Sequence, residues 1–182
     1  GVANLAPYSF FNAVSEKPNY VVFGSAGLKD SLRNIEETGE FVCSLATYDL
    51  RFNMNMTSAA VPPGVDEFPI GDLTAAPSRL VKPPRVKESP AAFECRHWQT
   101  IDLPGVNPGD PSTYSVIFGR VIGIYIDDRY ITDGRVDTGA MRPIARLGYM
   151  DYAVVTPETI FSINRPSAEE AMARMKAGAG AK

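Results

Sequence analysis

A short segment, residues 25–31, holds residue types that suit the binding of a phosphate group. We expect a strand to end at Phe23, a loop of small residues to follow it, and a helix to begin near Asp30. A helix start offers free backbone N–H groups and the positive end of its dipole, and both favour a phosphate. Side-chain donors are present as well, as hydroxyl groups or as a positive charge: Ser25, Ser31 and Lys29.

Asp30 argues against a phosphate at this place, because its carboxylate would repel one unless it turns away to cap the helix. An ordinary surface helix, capped by Asp30 or Ser31 and stopped by Gly39, is the alternative explanation. Loops of small residues before helices are common. On this segment alone, the ordinary capped helix is therefore the better explanation.

A second segment, residues 4–9, places polar groups beside a conformationally restricted proline, Pro7. Such a stretch can present backbone and side-chain donors along the edge of a flat, polar ring. A strand end followed by a polar turn is the alternative, and these residues alone do not separate the two.

The sequence offers little for metal binding or nucleophilic catalysis. His97 is the only histidine, and the two cysteines, Cys43 and Cys95, belong to no CxxC pair. A zinc site is therefore not expected. We predict that both cysteines are buried free thiols in a reducing cytoplasm and that His97 has a structural role in a strand.

Composition limits the classes of function. The chain has 182 residues, enough for a single domain, and a formal net charge of −3 with scattered basic residues. A nucleic-acid or anionic-membrane partner would require a concentrated basic surface, so neither is expected. The chain shows no apolar run long enough to cross a bilayer and no signal-peptide pattern, so we expect a soluble, cytoplasmic protein.

The pattern of apolar residues predicts a mainly β protein with few helices. Strand-like runs cover residues 20–23, 41–45, 93–103, 114–126, 152–155 and 159–163. The run 114–126 is apolar on both faces, so we expect it deep in a barrel wall or covered by another subunit, with Gly119 and Gly123 at bends or bulges. These features favour a mostly antiparallel barrel.

Helices and loops complete this prediction. One short helix is expected over residues 30–39, and the capping-box pattern of Ser167 and Glu170 opens another that continues through Lys176, followed by a frayed tail at 178–181. The proline-rich residues 61–90 should form loops and short turns rather than a second domain, and residues 104–111 a further loop.

Four motifs, in order, carry a resemblance to a known family: NLAPYSFFNAVSEKP, KDSLRNIEETGEFVCSL, NMNMTSA and RPIARLGYMDY. The chain resembles the flavin reductase-like family with the FMN-binding split barrel, from Asn4 to about Val155. The resemblance implies an antiparallel split β-barrel of the Greek-key type with a few short helices, as a single domain over residues 1–182. Chains of the family usually carry a strand hairpin before the first motif, so we expect that hairpin to be missing before Gly1.

The resemblance also implies a homodimer that binds one FMN per subunit near the dimer interface. By position, the residues expected to line the isoalloxazine ring and ribityl chain are Ala6, Pro7, Tyr8, Ser9 and Asn12. Those expected at the phosphate are Ser25, Lys29 and Ser31. Asn55 and Thr57 are expected to approach the cofactor or the partner subunit, and Arg146 and Tyr149 to contact the cofactor or the nicotinamide. A surface ion pair explains Arg146 equally well.

The implied reaction is hydride transfer from NADH or NADPH to FMN, with reduced flavin passed on to an acceptor such as a monooxygenase. No protein nucleophile is required. The chain lacks a GxGxxG fingerprint, so the nicotinamide would bind over the flavin face. An FMN-binding electron carrier or flavin-storage protein without NAD(P)H turnover is the alternative. An OB-like barrel that binds nucleic acid is disfavoured by the negative net charge.

Overall fold

The computed structural model describes residues 2–179, in which β-strands outnumber helices. In chain order the elements are β1 (Phe11–Glu16), β2 (Asn19–Ala26), α1 (Asp30–Thr38), β3 (Glu40–Ser44), α2 (Arg51–Met56), α3 (Glu67–Ile70), β4 (Ala75–Ala76), β5 (Arg85–Val86), β6 (Ala91–Asp102), β7 (Tyr114–Ile126), β8 (Ile131–Thr132), β9 (Arg135–Val136), α4 (Thr138–Met141), β10 (Ile144–Arg146), β11 (Tyr152–Val154) and α5 (Ala168–Ala179). The prediction of a mainly β protein with a few short helices is confirmed.

The central sheet contains five strands in the order β1-β2-β7-β6-β3, and every neighbouring pair is antiparallel. Its two edge strands, β1 and β3, do not pair with each other, so the sheet does not close into a barrel. Three short two-stranded pairs, β4–β5, β8–β9 and β10–β11, accompany it.

The long β6–β7 pair is interrupted at two places, each beside a glycine. Ile122 is an extra residue of β7 next to Gly123, and Trp98 is an extra residue of β6 close to the position opposite Gly119. Such bulges bend a strand and increase its twist. Both glycines therefore lie beside bulges, as the sequence predicts.

The hydrophobic core lies between α1 and the inner face of the sheet. Alternate residues of β2 point into it, as expected for a strand with one buried face. The helix contributes Leu32 and Ile35, which are three positions apart and so share one helical face. The buried cluster comprises Val21, Phe23, Leu32, Ile35, Phe41, Cys95 and Ile117.

The outer face of the same sheet carries a cluster of aromatic residues. The rings of Tyr20 and Trp98 are 5.4 Å apart, and those of Trp98 and Phe118 are 5.7 Å apart. Trp98 is 58% exposed. The apolar character of β7 on both faces therefore corresponds to one face in the core and one at the surface.

Several boundaries differ from the prediction, because pairing between strands extends or creates elements. The strand expected to end at Phe23 continues to Ala26, since its last residues pair with the start of β7. β1 was not predicted, and it forms because residues 11–16 pair with β2. The strand expected over residues 159–163 is absent, because Pro157–Thr159 forms a 3₁₀ turn and the residues after it have no strand partner.

The predicted helix ends are partly wrong. Neither Asp30 nor Ser31 caps α1, because the N-cap is Lys29. Gly39 ends the helix in a left-handed conformation, with φ of 71°, as predicted. The capping box of Ser167 and Glu170 is confirmed by reciprocal hydrogen bonds of 2.7 and 3.1 Å.

The C-terminal helix is longer than predicted. α5 continues past Lys176 to Ala179, and the predicted frayed tail at 178–181 falls partly on residues 180 and 181, which lie outside the described residues.

The proline-rich residues 61–90 consist mainly of loops and turns, as predicted, with α3 and the β4–β5 pair as their regular elements. The buried carboxylate of Glu94 accepts hydrogen bonds from the backbone N–H groups of Arg79, at 2.9 Å, and Leu80, at 2.5 Å. This carboxylate therefore links the residue 61–90 segment to β6.

Candidate functional site

The N-terminus of α1 is uncapped. Its N-cap residue, Lys29, has extended backbone angles and makes no capping hydrogen bond, because a lysine side chain has no acceptor. Gly27, with φ of 69°, turns the chain from β2 into the helix, and its N–H group bonds to the carbonyl of Thr113 at 2.9 Å. The exposed Lys29 ammonium and the first-turn N–H groups together form a site that favours an anion.

Asp30 does not interfere with this anion site, because its carboxylate has partners of its own. It accepts a hydrogen bond from the backbone N–H group of Gly64 at 2.6 Å and forms an ion pair with Arg33. The hydrogen bond from Gly64, opposed by partial desolvation and supported by Arg33, lowers the pKa of Asp30 below its ordinary value. The carboxylate therefore turns away as required, but toward the residue 61–90 excursion rather than to a helix cap.

A hydrogen-bond network connects the first motif to α1 and α3. The hydroxyl group of Ser31 donates to the side-chain oxygen of Asn4 at 2.6 Å. The buried carboxylate of Glu67 accepts from the side-chain amide of Asn4, at 3.3 Å, and from the backbone N–H group of Leu5, at 2.8 Å. The network holds the residues just before Ala6 against the start of α1.

Sequence reasoning did not identify Glu67. The residue lies in the proline-rich excursion, where the sequence predicts loops and short turns. Its one distinguishing sequence feature is the apolar neighbour Phe68, which is also buried. An acidic residue next to a core residue in an irregular segment was therefore the available signal.

Among the described residues, the buried hydroxyl groups of Tyr8 and Ser25 have no hydrogen-bond partner. The ring of Tyr8 packs against Phe23, with centroids 4.7 Å apart. Ser25 lies inside β2, opposite Ser115, and is fully buried instead of lying in a loop. A buried unpaired hydroxyl costs about 1–3 kcal/mol, so both groups favour an additional polar partner.

The remaining residues expected at the ring divide between two environments. Ala6 and Pro7 are half-buried, and Ser9 is exposed. Asn12 is exposed on β1 opposite Val22 and borders an apolar groove of about 380 Å³ that Phe10 and Tyr114 also line. Because β2 directs Val22 away from the core, Asn12 is on the outer side of the sheet.

The remaining four candidate residues lie in α2, directly after it, or in the β10–β11 hairpin. Asn55 is exposed and lines a cavity between α2 and the hairpin. Thr57 is buried, and its hydroxyl group donates to the carbonyl of Met54 at 2.8 Å. Arg146 donates to the Tyr152 hydroxyl at 3.0 Å and to the carbonyl of Tyr149, whose side chain is 94% exposed.

A path of contacts joins the two groups of residues. Glu67 and Gly71 stand at either end of α3. Gly71 accepts a 2.7 Å hydrogen bond from the side chain of Asn53 on α2 and packs closely against Thr57. Thus α3 connects the segment around Asn4 to α2.

The described residues contain no cluster of His, Cys, Asp or Glu that could hold a metal ion. Both cysteines are free, Cys95 buried and Cys43 half-buried. A hydrogen bond to Cys95, together with burial, raises the pKa of the Cys43 thiol well above its ordinary value. Within residues 2–179, no helix is long and apolar enough to cross a membrane. His97 lies in β6, and its ring is 2.9 Å from the Thr100 hydroxyl group.

Comparisons with known proteins agree with this architecture. A family model described as "Flavin reductase like domain" matches residues 1–144. An uncharacterized protein of Halalkalibacterium halodurans is 34% identical over 173 residues, which are 92% of this chain and 80% of that protein. Nitrilotriacetate monooxygenase component B from Bacillus cereus is 30% identical, with a TM-score of 0.83 over 90% of this chain and 81% of that one.

A structure with a split barrel domain from Shewanella frigidimarina superposes with a TM-score of 0.73 at 21% identity, covering 91% of this chain and 79% of that one. This likeness concerns the fold, and it assigns the open sheet to the split-barrel class. The match over residues 1–144 shows that the chain belongs to the flavin reductase-like family.

Proposed function

We propose that this protein binds FMN and works as a flavin reductase that accepts hydride from NADH or NADPH. Membership of the flavin reductase-like family supports a flavin-binding role. The structural observation that carries the proposal is the uncapped N-terminus of α1, with Lys29 at its N-cap and the Asp30 carboxylate turned away.

The FMN phosphate fits the start of α1 for two reasons. Its negative charge would complement the helix dipole and the Lys29 ammonium, and its oxygens would accept hydrogen bonds from the free first-turn N–H groups. In this proposal the Ser31 hydroxyl group, which already donates to Asn4, positions the first motif and offers only its oxygen lone pairs to further donors. Ser25, which the sequence predicts at the phosphate, is fully buried inside β2.

The isoalloxazine ring and ribityl chain are proposed to lie along Ala6, Pro7, Tyr8 and Ser9, with Asn12 at the sheet edge. The Glu67 network holds the backbone immediately before this segment, which preorganises its donors. Contacts of Asn55, Thr57, Arg146 and Tyr149 with the cofactor or the nicotinamide belong to the same proposal.

Bound FMN would supply the hydride chemistry, as flavins do. The residues of this chain would bind the phosphate, align the ring and exclude water. No titrating side chain is required, because the barrier then depends on distance and orientation. We also propose that reduced flavin serves a monooxygenase, as the 30% identity to a monooxygenase component B favours.

Replacing Lys29 tests the phosphate site. Lys29→Ala should weaken FMN binding about tenfold or more, because one charge-assisted interaction contributes about 1.5–3 kcal/mol. Riboflavin lacks the phosphate, so its affinity should change little. Fluorescence titration with both flavins measures the difference, and Lys17→Ala, which removes another exposed lysine, is the matched control. Equal weakening for both flavins would remove Lys29 from the phosphate role.

A second measurement separates reductase from carrier. Purified protein mixed with FMN and NADH or NADPH should deplete the nicotinamide absorbance over many turnovers. Tight FMN binding without catalytic depletion would instead identify an electron carrier or flavin store.

A further inference from the structure

The cavity between α2 and the β10–β11 hairpin has a volume of about 240 Å³. This is smaller than the roughly 300–1,000 Å³ of pockets that hold drug-sized ligands, so it suits a molecule with a single ring. Its lining combines aromatic, aliphatic and few polar side chains, among them Tyr48, Arg51, Phe52, Asn55 and Tyr152.

A pair of guanidinium groups lies beside one aromatic ring at this cavity. Those of Arg51 and Arg142 are 3.8 and 4.3 Å from the ring centroid of Tyr48, and that of Arg51 is also 4.3 Å from the ring centroid of Phe52. Arg142 is neutralised by Asp49, at 3.0 Å. Among the described residues, no carboxylate pairs with Arg51.

Arg51 therefore brings an unbalanced positive charge to a largely apolar cavity. One of its nitrogens, Nη1, donates to the Tyr48 carbonyl at 2.6 Å. Within the part of the chain that the structure describes, Nε and Nη2 have no acceptor, and these two nitrogens form the fork that pairs with a carboxylate. Stacking on Tyr48 and Phe52 holds the guanidinium plane in place.

We propose that this cavity binds a small aromatic carboxylate, with its carboxylate on Arg51 and its ring among Tyr48, Phe52 and Tyr152. This cavity is separate from the proposed phosphate site at the start of α1 and from the first motif. Asn55 is the residue it shares with the proposed cofactor contacts. Binding of the aromatic carboxylate in this cavity does not depend on the proposed function. A contact between that carboxylate and FMN through Asn55 would rest on the proposed function.

Calorimetric titration of the full chain with benzoate tests the proposal, and benzamide is the neutral ligand of the same shape. Benzoate should bind about tenfold or more tightly than benzamide, because only the anion pairs with the Arg51 fork. Cyclohexanecarboxylate, which lacks an aromatic ring, should bind severalfold more weakly than benzoate. Absence of benzoate binding, or equal affinity for benzamide, would overturn the proposal.

Variants locate the site. Arg51→Gln should reduce benzoate affinity about tenfold or more and leave the FMN affinity unchanged. Lys29→Ala should reduce the FMN affinity and leave the benzoate affinity unchanged. Arg129→Gln, which alters an exposed arginine near Tyr130, should change neither affinity. Benzoate binding that Arg51→Gln leaves intact, or that added FMN abolishes, would contradict the assignment of a separate site.

Discussion

Lys29 occupies a position where a lysine does little for the stability of a helix. Helices favour Ser, Thr, Asp or Asn at the N-cap, because these side chains accept hydrogen bonds from the first-turn N–H groups. The positive charge of Lys29 also opposes the dipole of α1. A residue that breaks a local rule in this way is expected at a binding site, where stability is exchanged for function.

This reasoning predicts opposite effects of one substitution. Lys29→Ser should stabilise the flavin-free protein by about 1 kcal/mol, because it introduces an N-cap, while it weakens FMN binding about tenfold. Urea unfolding without flavin measures the first effect, and FMN titration measures the second. A less stable Lys29→Ser protein would mean that the lysine has a structural role.

Asp30 makes the acid stability of the protein sensitive to one carboxylate. Its pKa is lowered by the hydrogen bond from Gly64, opposed by desolvation and supported by Arg33. A carboxyl group with a lowered pKa in the folded state stabilises that state above its unfolded pKa, about 3.9, and this contribution is lost as the pH falls below it.

We therefore expect Asp30→Asn to reduce the free energy of unfolding at pH 7 and to flatten its decline below about pH 4. Urea unfolding at a series of pH values measures both. Asp151→Asn, which alters an exposed carboxylate, should leave the profile as it is. An unchanged profile for Asp30→Asn would contradict the role of the Gly64 contact.

At the scale of elements, the β6–β7 pair is shaped by close contact across the sheet. A Cβ atom on Gly119 would overlap the ring of Phe41 and approach the Cβ of Cys95 to 3.3 Å. Both neighbours belong to the buried core, where little can shift. Glycine at this position therefore leaves room on β7 for the ring of Phe41, which reaches across β6 from β3.

Gly119→Ala should accordingly destabilise the protein by about 1–3 kcal/mol, the usual cost of overpacking. Gly148→Ala is the matched control, because a Cβ there has no neighbouring atom within 4 Å and the backbone is not left-handed. Thermal unfolding of both variants would measure the difference. Equal stability of the two would show that Phe41 has room to move.

At the scale of the whole molecule, the outer sheet face with Tyr20, Trp98 and Phe118 is the feature that favours self-association. Trp98 is exposed, with the half-buried rings of Tyr20 and Phe118 beside it, and such aromatic clusters are typical of interaction surfaces. We propose that this face forms the homodimer interface that the family resemblance implies. Val121 packs against the core, so Ile122 is the neighbour left to point outward.

Ile122→Asp and Trp98→Glu should each yield monomers that retain flavin poorly, because a buried unpaired charge is costly at an apolar interface. Sedimentation velocity measures the assembly, and flavin absorbance measures retention. Val106→Asp, at a loop residue that is 97% exposed, should remain dimeric. A monomeric unmodified protein would contradict the proposal.

Part of the fold was predictable from local sequence, because these features depend on neighbouring residues. The left-handed turn at Gly39 and the box of Ser167 and Glu170 follow from backbone conformation and hydrogen bonds within four residues. The long apolar run Tyr114–Ile126 became a strand with the predicted boundaries, since it pairs with a strand on each side.

Contacts between distant residues decided the remainder. β2 extends to Ala26, and so buries Ser25, because β7 pairs with it. Asp30 leaves the helix start because Gly64, 34 residues away, donates to it. Glu67 anchors Asn4 across 63 residues. No local pattern encodes these partners, since each arises where chain folding brings two unrelated segments together. The residue types at the site thus follow from the sequence, whereas their orientation and pairing follow from the tertiary structure.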